Sequence, residues 1–256
     1  MFHIALDAGH GRNTPGKRCL KSIDPAETRE WTLNDRICDK IEQNLKEYDG
    51  YTLLRVDDTT GETDVPLAER IKKANDAGAD FYLSVHHNAG VNGGTGGGII
   101  AIVYTQPSDL SVARQKIVYD NIIQQTGLIG NRSVPLARQN LYVLRETNMP
   151  SVLVECGFMD SVTDVPVILS ETFSNQAAKG LTDALVQIGG LKKKERAAEG
   201  TFEDIQGHYA EKQINELYQM GIVTGVDPQH FAPDEAIKRA DAAIIARNVI
   251  RYITGK

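Results

Sequence analysis

Residues 2–11 read FHIALDAGHG, a short apolar run that passes directly into a histidine between two glycines, His10. An apolar run of this length predicts a buried strand, and the glycines predict a tight turn at its end. Similar runs alternate with helical patterns through the first 190 residues. This alternation predicts an α/β domain over residues 1–190, built on a mostly parallel, twisted sheet flanked by helices.

The spacing of apolar residues predicts the other elements of this domain. Leu33, Ile37 and Ile41 recur every four residues, which predicts a helix over residues 31–48. Further strands are predicted over residues 51–56, 81–87, 99–104 and 151–156, and further helices over 66–77, 111–126 and 175–188.

The composition excludes several classes of protein. The chain has 256 residues, of which 41% are hydrophobic and 24% charged, as is ordinary for a globular protein. Its formal net charge of -6 offers no basic surface, so no nucleic-acid partner is expected. It contains no run of about 18 apolar residues, so no membrane-spanning segment is expected. The three cysteines include no CxxC pair, which argues against a disulfide framework and a thiolate zinc site.

Side chains capable of catalysis or metal binding follow several of the predicted strands. His10 follows the first strand, His86 and His87 end the third, Glu155 ends the last, and Glu30 begins the first helix. The carboxyl ends of parallel strands form the usual ligand-binding edge of a sheet. Two imidazoles and a carboxylate suit zinc with one position open for water, and a further carboxylate could act as general base or acid. Each residue alone also fits a structural role, such as a hydrogen-bonding histidine or a carboxylate at a helix start.

The adjacent histidines at the end of the third strand cannot both face one site easily. Side chains two residues apart lie on the same face of a strand. Ser84, His86 and Asn88 therefore share one face, and His87 lies on the other. Because His86 has polar companions, it is the favoured ligand.

Five motifs together resemble the amidase-3 type of N-acetylmuramoyl-L-alanine amidases, which occur as bacterial autolysins and phage endolysins. The motifs are LDAGHG at residues 6–11, EWTLN at 30–34, SVHHNA at 84–89, LYVLR at 141–145 and PSVLVECGF at 150–158. The resemblance implies zinc bound by His10, Glu30 and His86, with Glu155 as the catalytic carboxylate. It also implies peptidoglycan as substrate, cleaved at the amide between N-acetylmuramic acid and L-alanine.

Contacts to the substrate are expected from Asn88, Arg132 and Leu141. The loop over residues 13–25 is longer and more polar than is typical of the resembled family, so contacts near His10 are less well defined by the resemblance. Two other functions stay open. A zinc peptidase could cleave within the stem peptide, although the sequence has no HExxH motif. A non-catalytic wall-binding protein would require the loss of a ligand or of Glu155, and none is missing.

The last part of the chain, residues 201–256, is predicted to be a separate, small helical module. Two glycines at 189–190 and the charged stretch that follows them predict a linker over residues 191–200. The motifs FEDI at 202–205, GIVTG at 221–225, FAPD at 231–234 and IKRAD at 237–241 resemble one S-layer homology (SLH) repeat. The resemblance implies binding to a secondary cell-wall polymer, with Lys238, Arg239 and Asp241 as the expected contact residues.

A single repeat of this kind has too little core to be comfortably stable alone. We therefore expect homo-oligomer formation through the module, with docking on the amidase domain as the alternative. No basic segment followed by a long apolar segment opens the sequence. The chain is therefore expected to be synthesised in the cytoplasm without a signal peptide and to act at the cell wall after holin-type release or cell lysis.

Overall fold

The computed structural model describes residues 1–194 and 202–254, and the chain divides into two compact units, Met1–Lys193 and Lys194–Lys256. The first unit extends three residues beyond the expected boundary at 190, because Lys192–Lys193 pair as a strand with Tyr48–Asp49. The remainder of the expected linker, residues 195–200, lies outside the described residues.

Strands and helices mostly alternate along the first unit, as the sequence predicts. The strands are β1 (Phe2–Ala8), β2 (Tyr48–Asp49), β3 (Tyr51–Arg55), β4 (Phe81–Asn88), β5 (Ile100–Val103), β6 (Leu136–Arg138), β7 (Ser151–Phe158) and β8 (Lys192–Lys193). The helices are α1 (Glu30–Leu45), α2 (Leu67–Asp76), α3 (Asp109–Thr126), α4 (Tyr142–Arg145), α5 (Val165–Ile168) and α6 (Glu171–Gly189). The last helix begins four residues earlier than predicted, because the Ser170 hydroxyl accepts a hydrogen bond from the Phe173 N–H and caps it.

Six strands form the main sheet in the order β3-β1-β4-β7-β5-β6. All neighbouring pairs are parallel except β5 and β7, which pair antiparallel. The expected mostly parallel α/β fold is therefore confirmed. The three adjacent strands β1, β4 and β7 run in one direction, so their carboxyl ends meet at the middle of one sheet edge.

Each face of the sheet is covered by its own hydrophobic core. Phe81, Leu83 and Val85 of β4 join the core that also contains the buried residues of α1 and α6. Tyr82 points to the opposite face and joins the core with Ile71 of α2. Side-chain alternation along β4 therefore separates His86 from His87, because the two residues follow opposite faces.

Within its described residues, the second unit contains a short 3₁₀ turn (Glu203–Ile205) and two helices, α7 (Glu211–Gln219) and α8 (Arg239–Thr254). Its small core contains Phe202, Ile205 and Ile214. None of the described residues of α8 is buried, and the apolar side chains of Ile244, Ile250 and Ile253 are exposed. Among the residues that the structure describes in either unit, none belongs to a helix that could cross a membrane.

Candidate metal centre

The turn after β1 presents His10 above the sheet edge. His10 adopts a left-handed backbone conformation, with φ of 68°, which is unusual for a residue other than glycine. The preceding Gly9 lies directly against the His86 ring, since a Cβ added at Gly9 would lie 2.0 Å from His86 Cε1. A glycine is therefore required here for β1 and β4 to bring their two histidines together.

Three of the residues that the sequence singled out converge at this edge. One potential ligand atom from each of His10, Glu30 and His86 lies within 4.8 Å of the other two. Glu30 Oε1 is 3.3 Å from His10 Nε2 and 3.0 Å from His86 Nδ1. The two imidazole rings are nearly perpendicular, with centroids 4.9 Å apart.

The donor set and its unmet hydrogen bonds fit a bound cation. His10 Nε2 and Glu30 Oε2 are buried without a hydrogen-bond partner. Buried polar atoms of this kind are costly unless something else satisfies them. Ligand atoms around a tetrahedral zinc lie roughly 3.4 Å apart, since each is about 2.0–2.2 Å from the metal. The two separations from Glu30 Oε1, 3.3 and 3.0 Å, are close to that spacing, so the geometry of the three side chains is compatible with zinc.

The charges in the centre favour an ionised Glu30. Burial by itself raises the pKa of Glu30, but the hydrogen bond with His86 and the neighbouring His10 imidazole outweigh it and hold the pKa below its ordinary value. Burial also opposes the charging of His86, and the Glu30 carboxylate outweighs it and raises the His86 pKa. The carboxylate is thus held as an anion before any metal arrives.

Glu155 stands beside this cluster on the neighbouring strand. Glu155 of β7 is the register partner of His86 on β4, so the two side chains emerge on the same face of the sheet. Glu155 Oε2 is buried without a hydrogen-bond partner. Burial raises the pKa of Glu155 to about 7, against the opposing positive charge of His86. A carboxyl group with a pKa near neutrality can both accept and donate a proton at working pH.

His87 points away from the cluster, on the face where α1 packs. Its Nδ1 is 2.8 Å from Asn34 Oδ1, and Asn34 Nδ2 donates to the Gly9 carbonyl at 3.1 Å. Burial lowers the pKa of His87 to about 4, so its ring is neutral at ordinary pH. The His87–Asn34 pair therefore holds the Gly9–His10 turn from the side of α1.

A buried ion pair that the sequence pattern does not predict holds the same turn from the side of α2. Asp7 and Arg70 are each 1% exposed, and Arg70 Nη1 donates to Asp7 Oδ1 at 2.6 Å. Arg70 also donates to the carbonyls of Ala8 and His10, at 2.7 and 2.8 Å. Tyr82 and Ser84 donate to the other oxygen of Asp7. An aspartate inside the apolar run of residues 2–8 was the available signal, because a buried carboxylate requires a partner.

Replacing Arg70 by methionine is expected to destabilise the first unit by about 3–5 kcal/mol, the usual cost of leaving one partner of a buried pair uncompensated. The free energy of unfolding can be measured in urea by the fluorescence of Trp31, the single tryptophan of the chain. The double variant Asp7→Asn/Arg70→Met should recover part of the loss, because it removes the uncompensated charge. An unchanged urea midpoint for Arg70→Met would show that the pair does not stabilise the fold.

The cluster opens into a cleft of about 340 Å³. Its lining residues come from the loop before α1 and from the ends of β4 and β7: Pro15, Gly16, Lys17, Glu30, His86, His87, Asn88, Ala89, Glu155 and Met159. Asn88, an expected substrate contact, is therefore in the cleft. Arg132 instead lies 4.4 Å above the Phe158 ring, and Leu141 packs against the core that contains Tyr82. Neither is among the lining residues, and all three roles stay predictions.

The expected wall-contact residues lie at the start of α8 in the second unit. Lys238 and Asp241 line a groove of about 530 Å³ together with Ile222, Phe231 and Ile244. Arg239 is the first residue of α8 and is exposed. Their contact with a wall polymer stays a prediction.

Comparisons with known proteins agree with this fold. Residues 4–187 match the family model for N-acetylmuramoyl-L-alanine amidase (Amidase_3), and residues 201–243 match that for the S-layer homology domain. The chain is 33% identical over 194 residues to a sporulation-specific N-acetylmuramoyl-L-alanine amidase of Bacillus subtilis, covering 75% of this chain and 70% of the relative. It is 32% identical over 194 residues to an endolysin of Bacillus phage SPP1, covering 75% and 67%.

Solved structures show the same architecture. The crystal structure of N-acetylmuramoyl-L-alanine amidase from Clostridium difficile 630 superposes with a TM-score of 0.65 at 27% identity, covering 73% of this chain and 95% of that one. The catalytic domain of the amidase CwlV from Bacillus (Paenibacillus) polymyxa has a TM-score of 0.66 at 24% identity, covering 75% of this chain and 100% of that one. The chain belongs to the Amidase_3 family of N-acetylmuramoyl-L-alanine amidases: it is a peptidoglycan hydrolase with a C-terminal S-layer homology domain.

Proposed function

We propose that this amidase is zinc-dependent, with the metal held by His10, Glu30 and His86 and with Glu155 as the catalytic carboxylate. The observation that carries the proposal is the convergence of three ligand atoms within 4.8 Å. Two imidazoles and one carboxylate are a common zinc set that leaves a position open for water or substrate. His10 Nε2 and Glu30 Oε2, both buried without a hydrogen-bond partner, are satisfied by such a cation.

In the proposed mechanism the substrate and the attacking water are polarised at the metal centre, and Glu155 transfers the proton. Bound zinc supplies Lewis-acid polarisation of the scissile carbonyl and makes a nearby water molecule more acidic. The Glu155 carboxylate, on the same sheet face as His86, accepts a proton from the attacking water. The same carboxyl group then donates that proton to the departing amine of L-alanine. Its pKa of about 7 suits both steps.

The proposal can be tested by mass spectrometry of digested peptidoglycan, with and without a chelator. The expected digest contains stem peptides with a free L-alanine amino terminus and glycan with unsubstituted lactyl groups. Chelation should stop the reaction, and added zinc should restore it. New amino termini within the stem peptide would instead identify a zinc peptidase. Activity that persists after complete metal removal would refute the metal-dependent mechanism.

We propose further that the second unit binds a secondary cell-wall polymer through the start of α8. Lys238, Arg239 and Asp241 place two cations and one carboxylate at an exposed position. Lys238 and Asp241 also line the groove of this unit, where a polar polymer could pair with both charges and hydrogen-bond between them.

We also propose that the second unit forms a homo-oligomer through α8. Among the described residues of this unit, five hydrophobic side chains are buried, those of Phe202, Ile205, Ile214, Ile222 and Val223, which is little for a unit of this size. The exposed side chains of Ile244 and Ile250 lie on a helix with no buried residue among those described. Pairing such helices between chains would remove apolar area from water, and symmetric association is the common route in soluble proteins.

Light scattering should therefore give the full chain a mass of at least twice 28.1 kDa, the mass of one chain. The variant Ile244→Glu/Ile250→Glu should be monomeric, because it places two charges in the proposed interface. Val134→Glu, which changes an exposed apolar residue of the first unit, should leave the mass unchanged. A monomeric wild-type chain at working concentrations would contradict the proposal.

A further inference from the structure

The loop between β1 and α1 carries a cation into the cleft. The Glu30 N–H donates to the Lys17 carbonyl at 3.1 Å, so the backbone bond at the start of α1 also fixes the position of Lys17. The next residues are held as well: the Cys19 N–H donates to the Thr28 carbonyl at 2.8 Å and the Leu20 N–H to the Met159 carbonyl at 2.9 Å. The loop is thus tied to α1 and to the chain after β7, on both sides of the cleft.

The Lys17 side chain lies beside the metal centre but remains open to solvent. Its Nζ is 3.7 Å from Glu30 Oε2, yet the side chain is 45% exposed, whereas that of Glu30 is 1% exposed. Among the described residues that line the cleft, Lys17 carries the one ammonium or guanidinium group. Glu155 lines the same cleft. The ammonium therefore shares the cleft with both carboxylates of the site.

If a metal cation bound to Glu30, the Lys17 ammonium would no longer have this carboxylate to neutralise its charge. A bound divalent metal would neutralise Glu30, which is the residue that Lys17 pairs with here. The divalent cation and the ammonium would then exceed the charge of the two carboxylates Glu30 and Glu155, and the cleft would have a net positive charge. A positive, partly enclosed cleft attracts an anionic ligand group and concentrates it near the reacting bond.

We propose that Lys17 is a specificity-determining residue that binds a free carboxylate on the peptide side of the scissile amide. The inference rests on the proposed zinc amidase function. Because Nζ lies beside a metal ligand, a carboxylate bound to it would be about one or two residues from the cleaved bond, at roughly 3.3–3.6 Å per extended residue. A carboxylate and the corresponding carboxamide have nearly the same size but differ in charge. Lys17 would distinguish the two forms by charge.

The test compares two soluble muropeptides that differ only in this group, one with the free carboxylate and one with the carboxamide. The wild-type zinc-loaded chain should cleave the carboxylate form with a kcat/KM about fivefold higher, the scale of a partly exposed ion pair. Lys17→Gln should bring the ratio of the two kcat/KM values close to one, and Lys17→Arg should retain the preference. Lys21→Gln, a change to an exposed lysine of the same loop, should leave the ratio unaltered. The wild-type preference should also shrink as salt is added.

Metal analysis provides a readout that is independent of turnover, since Lys17→Gln should bind zinc as the wild type does. Equal kcat/KM values for the two muropeptides in the wild type would overturn the role of Lys17 and leave the amidase function intact. An equal decrease in kcat/KM on both muropeptides in Lys17→Gln, or a loss of bound zinc, would also overturn it. In either case Lys17 would stabilise the metal centre and would not distinguish the two substrates. Failure of the wild type to cleave either muropeptide at the lactyl amide would instead refute the proposed function.

Discussion

Replacing Glu155 by glutamine is expected to lower kcat on peptidoglycan by about 10²-fold or more while the chain retains its zinc, the scale for losing a general acid or base. The amide keeps the size of the side chain, so the packing of β7 should not change. It cannot accept the proton of the attacking water, and it cannot return one to the departing amine. The loss should therefore appear in kcat and kcat/KM together, as for an interaction made only in the transition state.

The measurement needs controls for folding and for metal content. Zinc per chain and the urea midpoint followed by Trp31 should both match the wild type. Glu146→Gln, a change to an exposed carboxyl group that pairs with Arg145, is the matched control and should keep full activity. Near-normal turnover by the Glu155 variant would remove this residue from the mechanism.

Replacing His86 by glutamine is expected to weaken zinc binding by more than about 100-fold, since even the loss of an outer-shell partner costs 10–100-fold. Activity should fall with metal occupancy, and excess zinc should restore it only in part. The reason is geometric: Glu30 Oε1 lies 3.0 Å from His86 Nδ1, and the cluster has one other imidazole, His10.

The neighbouring residue, His87, provides the control for the His86 variant. His87→Gln removes an imidazole from the same strand, but that ring bonds to Asn34 on the opposite face. Its zinc affinity should fall by no more than about tenfold, the lower end for an outer-shell change. Competition with a chromophoric chelator measures both affinities. If His87→Gln loses zinc and His86→Gln retains it, the assignment of the ligands is wrong.

The local sequence is sufficient for the strand and helix pattern and for most of the residues at the site. Apolar runs and helical spacing are local properties, and the polar residue that ends each run marks a strand end. In a parallel sheet those ends meet, so His10, His86 and Glu155 can be grouped from their positions in the sequence alone. Alternation along β4 also separates His86 from His87, because the faces of a strand follow from a period of two.

Contacts between distant segments required the tertiary structure. The reversed direction of β5 is set by its pairing with β7, some 50 residues later in the chain, and nothing within residues 100–103 encodes it. Arg70 reaches Asp7 across 63 residues, and an arginine is by its residue type expected to be exposed. The Ser170 cap is the exception, since a serine three residues before the bonded N–H is a local signal for a helix start.

The sequence by itself therefore determined the α/β class, the residues at the carboxyl ends of β1, β4 and β7, and the family to which those motifs belong. Only the tertiary structure decided that Lys17 extends into the cleft beside Glu30, that Arg70 holds the His10 turn, and that α8 exposes three of its isoleucines. The physical reason is the range of the interactions. Periodicity and turn chemistry act between neighbours along the chain, whereas a buried ion pair or an uncovered helix face depends on which distant segments pack against it.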